Sequence, residues 1–445
     1  MKRRTFLYQT SVVSLGFLSL SRCVQKGTDA AKSTVLPLKA DPKNYMDLPE
    51  GFSYKIISKA GSTMSDGLLV PGRADGMGTF LRKDGKVIII RNHENSPTPL
   101  ENSPFGLERE LLAKVDISRL YDAGRGELPG LGGTTTLIYD EEKGEVIEEF
   151  MSLAGTYRNC AGGVTPWNSW LTCEEDTTKA DGENIEKDHG YVFDVPADAT
   201  GLVEARPIKA MGRFNHEAVA VDPQTGIIYQ TEDASDSLIY RFIPEDPKDL
   251  HKGGKLQALA VGNQPKLDTR NWKERGVEQG IGYPVVWQDV DDVDSPLDDL
   301  RIRGFEGGAA CFARGEGMWN ADGQIYFACT NGGPKNFGQI FRYDIEKEQL
   351  ELFAESEDKT VLHMCDNVTI APWGEVLVCE DNGELNRMHL ISKDGELRQF
   401  AVNRSSKSEL TGAVFSPSGK TLFVNVQENG DTLAITGPWE KLQAV

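Results

Sequence analysis

The strongest constraint on the fold is a unit that recurs six times: a turn signal, a short apolar run, then polar residues. The copies begin with Lys83-Asp84-Gly85, Val87 to Ile90 and Asn92-His93-Glu94, followed by Pro166-Trp167-Asn168, Trp170-Leu171 and Cys173-Glu174-Glu175. Next come Asp222-Pro223, Ile227 to Tyr229 and Glu232-Asp233, then Ala321-Asp322-Gly323, Ile325 to Phe327 and Cys329-Thr330-Asn331. The last two are Pro372-Trp373-Gly374, Val376 to Val378 and Cys379-Glu380-Asp381, and Pro417-Ser418-Gly419, Leu422 to Val424 and Asn425-Val426-Gln427. A repeated strand unit that cannot bury both faces alone must stack radially or linearly on its neighbours. Four of the six ends carry acids, so the stack aims carboxylates at a common place.

The units are unevenly spaced, which rules out a regular solenoid and fits four-stranded blades of roughly 40–45 residues with loop insertions. The expectation is an all-β, six-bladed β-propeller spanning residues 49–445 as one catalytic domain, preceded by a polar linker over 24–48. The 46 glycines and 21 prolines suit the many tight turns this requires. The clearest helical pattern lies between Leu107 and Leu120, and the stretch from Pro244 to Asp299 is poor in strand signals and reads as an excursion over one face. Its acidic run, Asp289 to Asp299, lacks the alternation and glycine of an EF-hand and reads as a solvated loop.

Residues 1–23 form an export signal. Lys2-Arg3-Arg4-Thr5-Phe6-Leu7 is a twin-arginine pattern ahead of the apolar Ser11 to Leu20, a run too short to span a bilayer. The expected partners therefore include the twin-arginine export machinery, and the expected location is the periplasm or cell surface. Leu20-Ser21-Arg22-Cys23 resembles a lipobox, which would anchor Cys23 through a lipid; simple cleavage nearby is the alternative. Of the other cysteines (Cys160, Cys173, Cys311, Cys329, Cys365 and Cys379) most are expected to be small buried hydrophobes, and no C-x-x-C zinc pattern is present. A net charge of −20 argues against a nucleic-acid-binding surface.

Three further clusters precede strands: Asn215-His216-Glu217, Ala313 to Met318 with Arg314 and Glu316, and Cys365-Asp366-Asn367. Gathering Glu174, Glu217, Glu232, Glu316, Asp366 and Glu380 without cations would be prohibitive, because buried carboxylates repel and raise one another's pKa. Bound multivalent ions reverse that sign. Oxygen donors suit calcium, whereas a thiolate such as Cys173 favours a transition metal, so a mixed site is expected.

At this point the chain resembles the PhoX family of bacterial alkaline phosphatases. The resemblance rests on Pro166-Trp167-x-x-Trp170-Leu171-Thr172-Cys173-Glu174-Glu175, His216 to Pro223, Ala313 to Met318 and the twin-arginine signal, and extends from about Leu48 to Val426. It implies a six-bladed propeller around two ferric and three calcium ions, hydrolysing phosphate monoesters to inorganic phosphate. It also implies Cys173 as the thiolate ligand to iron, with Glu174, Glu217, Glu232, Glu316, Asp366 and Glu380 as carboxylate ligands. Arg314 would contact the phosphoryl group and act with Glu316 in catalysis, while Asn92, His93, His216 and Asn367 would stand behind the ligands. Relatives more often carry glycine after the first tryptophan of the second unit, where this chain has Asn168, which puts the turn geometry there in question. The fourth and sixth units end in neutral residues, and the sixth is expected to close the ring without donating charge. The rival readings are a calcium-dependent lactonase or sugar-processing propeller, which has no need of Cys173 or Arg314, and a non-catalytic binding propeller.

Overall fold

The computed structural model describes residues 37–442, so the twin-arginine pattern, Cys23 and most of the polar linker lie outside the described residues. The fold is all-β and propeller-like. Each sequence unit is the second strand of an antiparallel hairpin, and its turn signal is the hairpin turn. These turns need a left-handed residue, supplied by Gly85, Gly226, Gly323, Gly374 and Gly419. In the second unit Asn168 takes that role at φ 61°, so the turn survives without glycine.

The first strands of the hairpins are Ala74–Leu81, Asn159–Val164, His216–Val221, Gly315–Ala321, Cys365–Ile370 and Leu410–Phe415. They pack side by side in that order, and the last returns to the first. The second strands are buried on both faces, which explains their continuous apolar runs. Ile88 and Ile90 pack against Trp170 and Phe193, while Val87 and Ile89 pack against Val414 and Phe423. Likewise Ile325 and Phe327 face Ala218 and Tyr229, and Tyr326 and Ala328 face Val376 and Val378.

Among the described residues the hydrogen-bonded sheets number five, not six. Gly282–Asp289 pairs with Gly254–Val261 on one side and with Gln349–Glu355 on the other, fusing the third and fourth units into a nine-stranded sheet. The stretch expected to be poor in strands therefore holds two, together with an α-helix, Leu300–Gly307, just beyond it. The helical pattern at Leu107–Leu120 is overridden: that stretch forms only 3₁₀ turns, Leu112–Lys114 and Ile117–Arg119. The end of the expected linker is also structural. Met46–Pro49 pairs with Leu397–Asn403, and Met46 and Leu48 are buried. The last sheet is closed from both ends of the chain, by Ser53–Lys59 pairing with Asp431–Thr436. No helix among the described residues is long and apolar enough to cross a membrane.

Candidate metal centre

All six first strands start with the same irregularity. The pairing slips between Ala74 and Met77, Asn159 and Gly162, His216 and Val219, Gly315 and Met318, Cys365 and Val368, and Thr411 and Val414. Each slip is a β-bulge, which bends the strand and re-aims a side chain. Its second residue is in turn Asp75, Cys160, Glu217, Glu316, Asp366 and Gly412. The next residue is always small or compact: Gly76, Ala161, Ala218, Gly317, Asn367 and Ala413. The crowding explains this, since a Cβ on Gly76 would lie 2.6 Å from the Ala161 Cα and one on Gly317 2.6 Å from the Val368 nitrogen. Only about 20 Å³ is left open among these residues, so the axis is closed one step along from the acids.

Peptides freed by several of the bulges are taken up by polar residues from the neighbouring unit. Asn92 Nδ2 donates to the Cys160 and Ala161 carbonyls, at 3.0 and 2.7 Å. Thr231 Oγ1 donates to the Glu316 carbonyl at 2.7 Å and Thr330 Oγ1 to that of Cys365 at 2.8 Å. Asn425 Nδ2 closes the circuit on the Asp75 carbonyl at 2.7 Å, and Asn367 Oδ1 accepts from the Gly412 N–H at 2.6 Å. The neutral strand ends of the fourth and sixth units are thus the clamps of their neighbours' bulges.

Asp75, Cys160, Glu217, Glu316 and Asp366 converge with Glu94, Glu175, Asp381 and Glu409. They form four overlapping groups, each with donor atoms within 4.8 Å of one another: Asp75–Glu94–Cys160, Cys160–Glu175–Glu217, Glu217–Glu316–Asp366 and Asp366–Asp381–Glu409. Burial and mutual repulsion push Asp366 up to about 7 and, despite Arg158, Glu175 up to about 8. Glu217, Glu316, Asp75 and Glu409 rise well above the usual carboxylate range for the same two reasons. Glu217 is fully buried, and neither of its carboxylate oxygens has a hydrogen-bond partner; Asp75 Oδ1 also lacks one. Glu409 and Gln427 show that the sixth unit does reach the centre, Gln427 Nε2 donating to Asp75 Oδ2 at 2.6 Å and to Glu94 Oε2 at 3.0 Å.

Four of the residues expected as ligands lie elsewhere. Cys173 is buried in the apolar layer with Leu171, Val219 and Phe242. Glu174 accepts from the Tyr157, Gly190 and Tyr191 backbone N–H groups and contacts His189 Nδ1 at 2.6 Å. Burial opposes charge on His189, but Glu174 and Asp122 raise it to about 9. Glu232 accepts from Tyr240 Oη at 2.9 Å, and Glu380 from the His363 N–H at 2.7 Å, with His389 Nε2 at 3.0 Å. Each of the three glutamates is the residue paired across the hairpin, facing Asn159, His216 or Cys365. The next residue along (Glu175, Asp233 or Asp381) faces the opposite way, because strand side chains alternate. Cys160, not Cys173, is the cysteine that stands among these acids.

Arg314 is held by Asp233 through Nε and Nη2, both at 2.8 Å, and Nη2 also reaches Glu316 Oε1 at 2.6 Å. Among the described residues its Nη1 has no partner. His93 bridges the Gly72 carbonyl and Thr135, away from the acids, and His216 donates from Nε2 to the Gly212 carbonyl while stacking on Phe214. Burial lowers His216 to about 3, so it is neutral.

No curated protein sequence matches the chain. A family model described as alkaline phosphatase PhoX matches residues 33–146 and 127–430. Similar solved structures include a gluconolactonase from Xanthomonas campestris, 12% identical, with a TM-score of 0.42 over 92% of this chain and 99% of that one. A luciferin-regenerating enzyme is 11% identical, with a TM-score of 0.43 over 87% and 96%. The WD40 propeller domain of Doa1 is 9% identical, with a TM-score of 0.40 over 86% and 96%. Likenesses of this depth assign no chemistry to the chain.

Proposed function

This chain belongs to the PhoX family of alkaline phosphatases, and we propose that it is an exported, metal-dependent phosphatase releasing inorganic phosphate from phosphate monoesters. The observation that carries the reading is Glu217, a buried carboxylate with both oxygens unpartnered at the meeting point of two acidic groups. Ionised, such a residue is tolerable only if cations satisfy it. The donor set fits hard ions bound through carboxylate oxygens, with one softer ion next to Cys160. Iron and calcium are the ions this family resemblance implies. When bound, the ions would neutralise the carboxylates and act as Lewis acids toward phosphoryl oxygens.

In this reading Asp75, Glu94, Cys160, Glu175, Glu217, Glu316, Asp366, Asp381 and Glu409 hold the ions. Asp233 fixes the Arg314 guanidinium by a two-point contact, leaving Nη1 to donate to an equatorial phosphoryl oxygen. Because the axis is closed behind the acids, the ester enters and phosphate leaves by one mouth. We read the ring as six blades, with Gly282–Asp289 as an added strap between the third and fourth. Export rests on the family and on the twin-arginine pattern.

The test is elemental analysis of protein exported by its native route, combined with turnover of a chromogenic phosphate monoester. Iron together with calcium, and hydrolysis abolished by chelation, are expected. Calcium alone with no ester cleavage would sink the proposal.

A further inference from the structure

Arg314 has two counterparts. Arg73, Arg158 and Arg314 each stand immediately before a first strand, and each adopts a left-handed backbone, at φ 48°, 45° and 49°. Met364 shares that place and conformation in the fifth unit, at φ 57°, so the turn itself does not require arginine. We infer that Arg73 and Arg158 form a second oxyanion site beside Arg314, which receives an anionic group on the leaving side of the ester. The inference rests on the phosphatase reading and deepens it by naming a substrate class.

The three guanidiniums alternate with acids around the mouth. Arg73 Nη2 lies 2.5 Å from Glu94 Oε2, and Arg158 Nη2 lies 2.7 Å from Glu94 Oε1, so Glu94 is gripped on both oxygens. Arg158 Nη2 also meets Glu175 Oε2 at 2.5 Å. Arg314 continues the series through Asp233 and Glu316, and Asp381 lies within the field of both Arg314 and Arg73. The arginine side chains remain partly open, 29% for Arg73, 38% for Arg158 and 29% for Arg314, while Glu217 and Glu316 behind them are buried. Arg158 Nε is enclosed without a hydrogen-bond partner.

A single phosphoryl group meeting Arg314 leaves two guanidiniums at the same opening; Arg73 also donates from Nε to the Glu94 carbonyl and from Nη1 to the exposed Glu428, which an incoming anion would displace. The planar donors of the two guanidiniums match a second phosphate or a carboxylate, a fit that lysine would not provide. On a chain of net charge −20 they and Arg314 put three positive groups at an opening otherwise lined by carboxylates. The bland alternative is that they only hold Glu94 and Glu175 in place.

Substrate dependence separates the two. Hydrolysis of glucose 6-phosphate, 6-phosphogluconate and fructose 1,6-bisphosphate is compared in the wild type, Arg73→Gln, Arg158→Gln and Arg73→Lys. The expected result is that both glutamine variants lose about tenfold in kcat/KM for the bisphosphate relative to glucose 6-phosphate, mainly through KM. Arg73→Lys should recover part of that ratio. Loss on 6-phosphogluconate as well assigns the site to any oxyanion, and loss on the bisphosphate alone assigns it to phosphate. If all three esters slow alike, or none does, the arginines serve only the carboxylates and the inference is overturned. Should one glutamine variant fail to fold, the other decides by the same ratio. A wild-type protein that cleaves none of the three overturns the phosphatase reading, a result visible without any variant.

Discussion

At the scale of single residues, the two cysteines Cys160 and Cys173 make the sharpest contrast. Cys160→Ser should strip the transition metal and lower activity at least 100-fold with little change in folding, as removal of a ligand does. Cys173→Ser should keep the metal and instead cost about 1–3 kcal/mol, because it buries a hydroxyl in an apolar layer. Metal content and thermal unfolding of the two variants check this, and the reverse pattern would restore Cys173 as the ligand. Glu217→Gln should abolish activity yet raise the unfolding temperature of metal-stripped protein at alkaline pH by a few degrees, since burial opposes ionisation of a carboxyl that nothing pairs and the amide does not ionise. An unchanged or lower unfolding temperature would mean that the carboxylate is satisfied without ions.

At the scale of elements, the bulge decides what can be read from the chain. The turns, the apolar runs and the arrival of acids at strand ends are legible, because each follows from local propensity. Which acid of Glu174-Glu175, Glu232-Asp233 or Glu380-Asp381 turns inward is not legible, since a slip of one residue exchanges the two faces. The places of Glu217, Glu316 and Asp366 ahead of strands did carry the right signal: an acid followed by a small or compact residue at the start of a run. Ala74-Asp75-Gly76 shares it, and Asn159-Cys160-Ala161 has a cysteine in place of the acid, with glycines after it that hide the strand they begin. The bulge itself is testable. Gly317→Ala forces a Cβ to 2.6 Å from the Val368 nitrogen and should destabilise the protein by about 1–3 kcal/mol. Thr231→Val leaves the Glu316 carbonyl unpaired and should cost about 1–3 kcal/mol, with metal affinity falling alongside stability in equilibrium titration.

At the scale of the whole molecule, the acids set how the metal-free protein responds to pH. Burial raises Asp366 to about 7, and Glu175 and Glu232 to about 8, above their values in an unfolded chain. A carboxyl whose folded pKa is raised binds its proton more tightly when folded, so its contribution is full at acidic pH and is lost as pH rises through 7–8. Chelated protein should therefore melt at progressively lower temperature from pH 5 to pH 9, and added iron and calcium should remove most of that slope. A melting temperature of chelated protein that stays level or climbs over this range would contradict the electrostatic account. The ring geometry adds a condition on timing. The acidic groups draw on residues far apart in the chain, from Asp75 to Glu409, and the final sheet needs Asp431–Thr436 to meet Ser53–Lys59. A nascent chain that stops short of Glu409 and Asp431–Thr436 has neither a closed ring nor a full set of donors, so in the proposed reading loading with metal has to wait until those residues have been made.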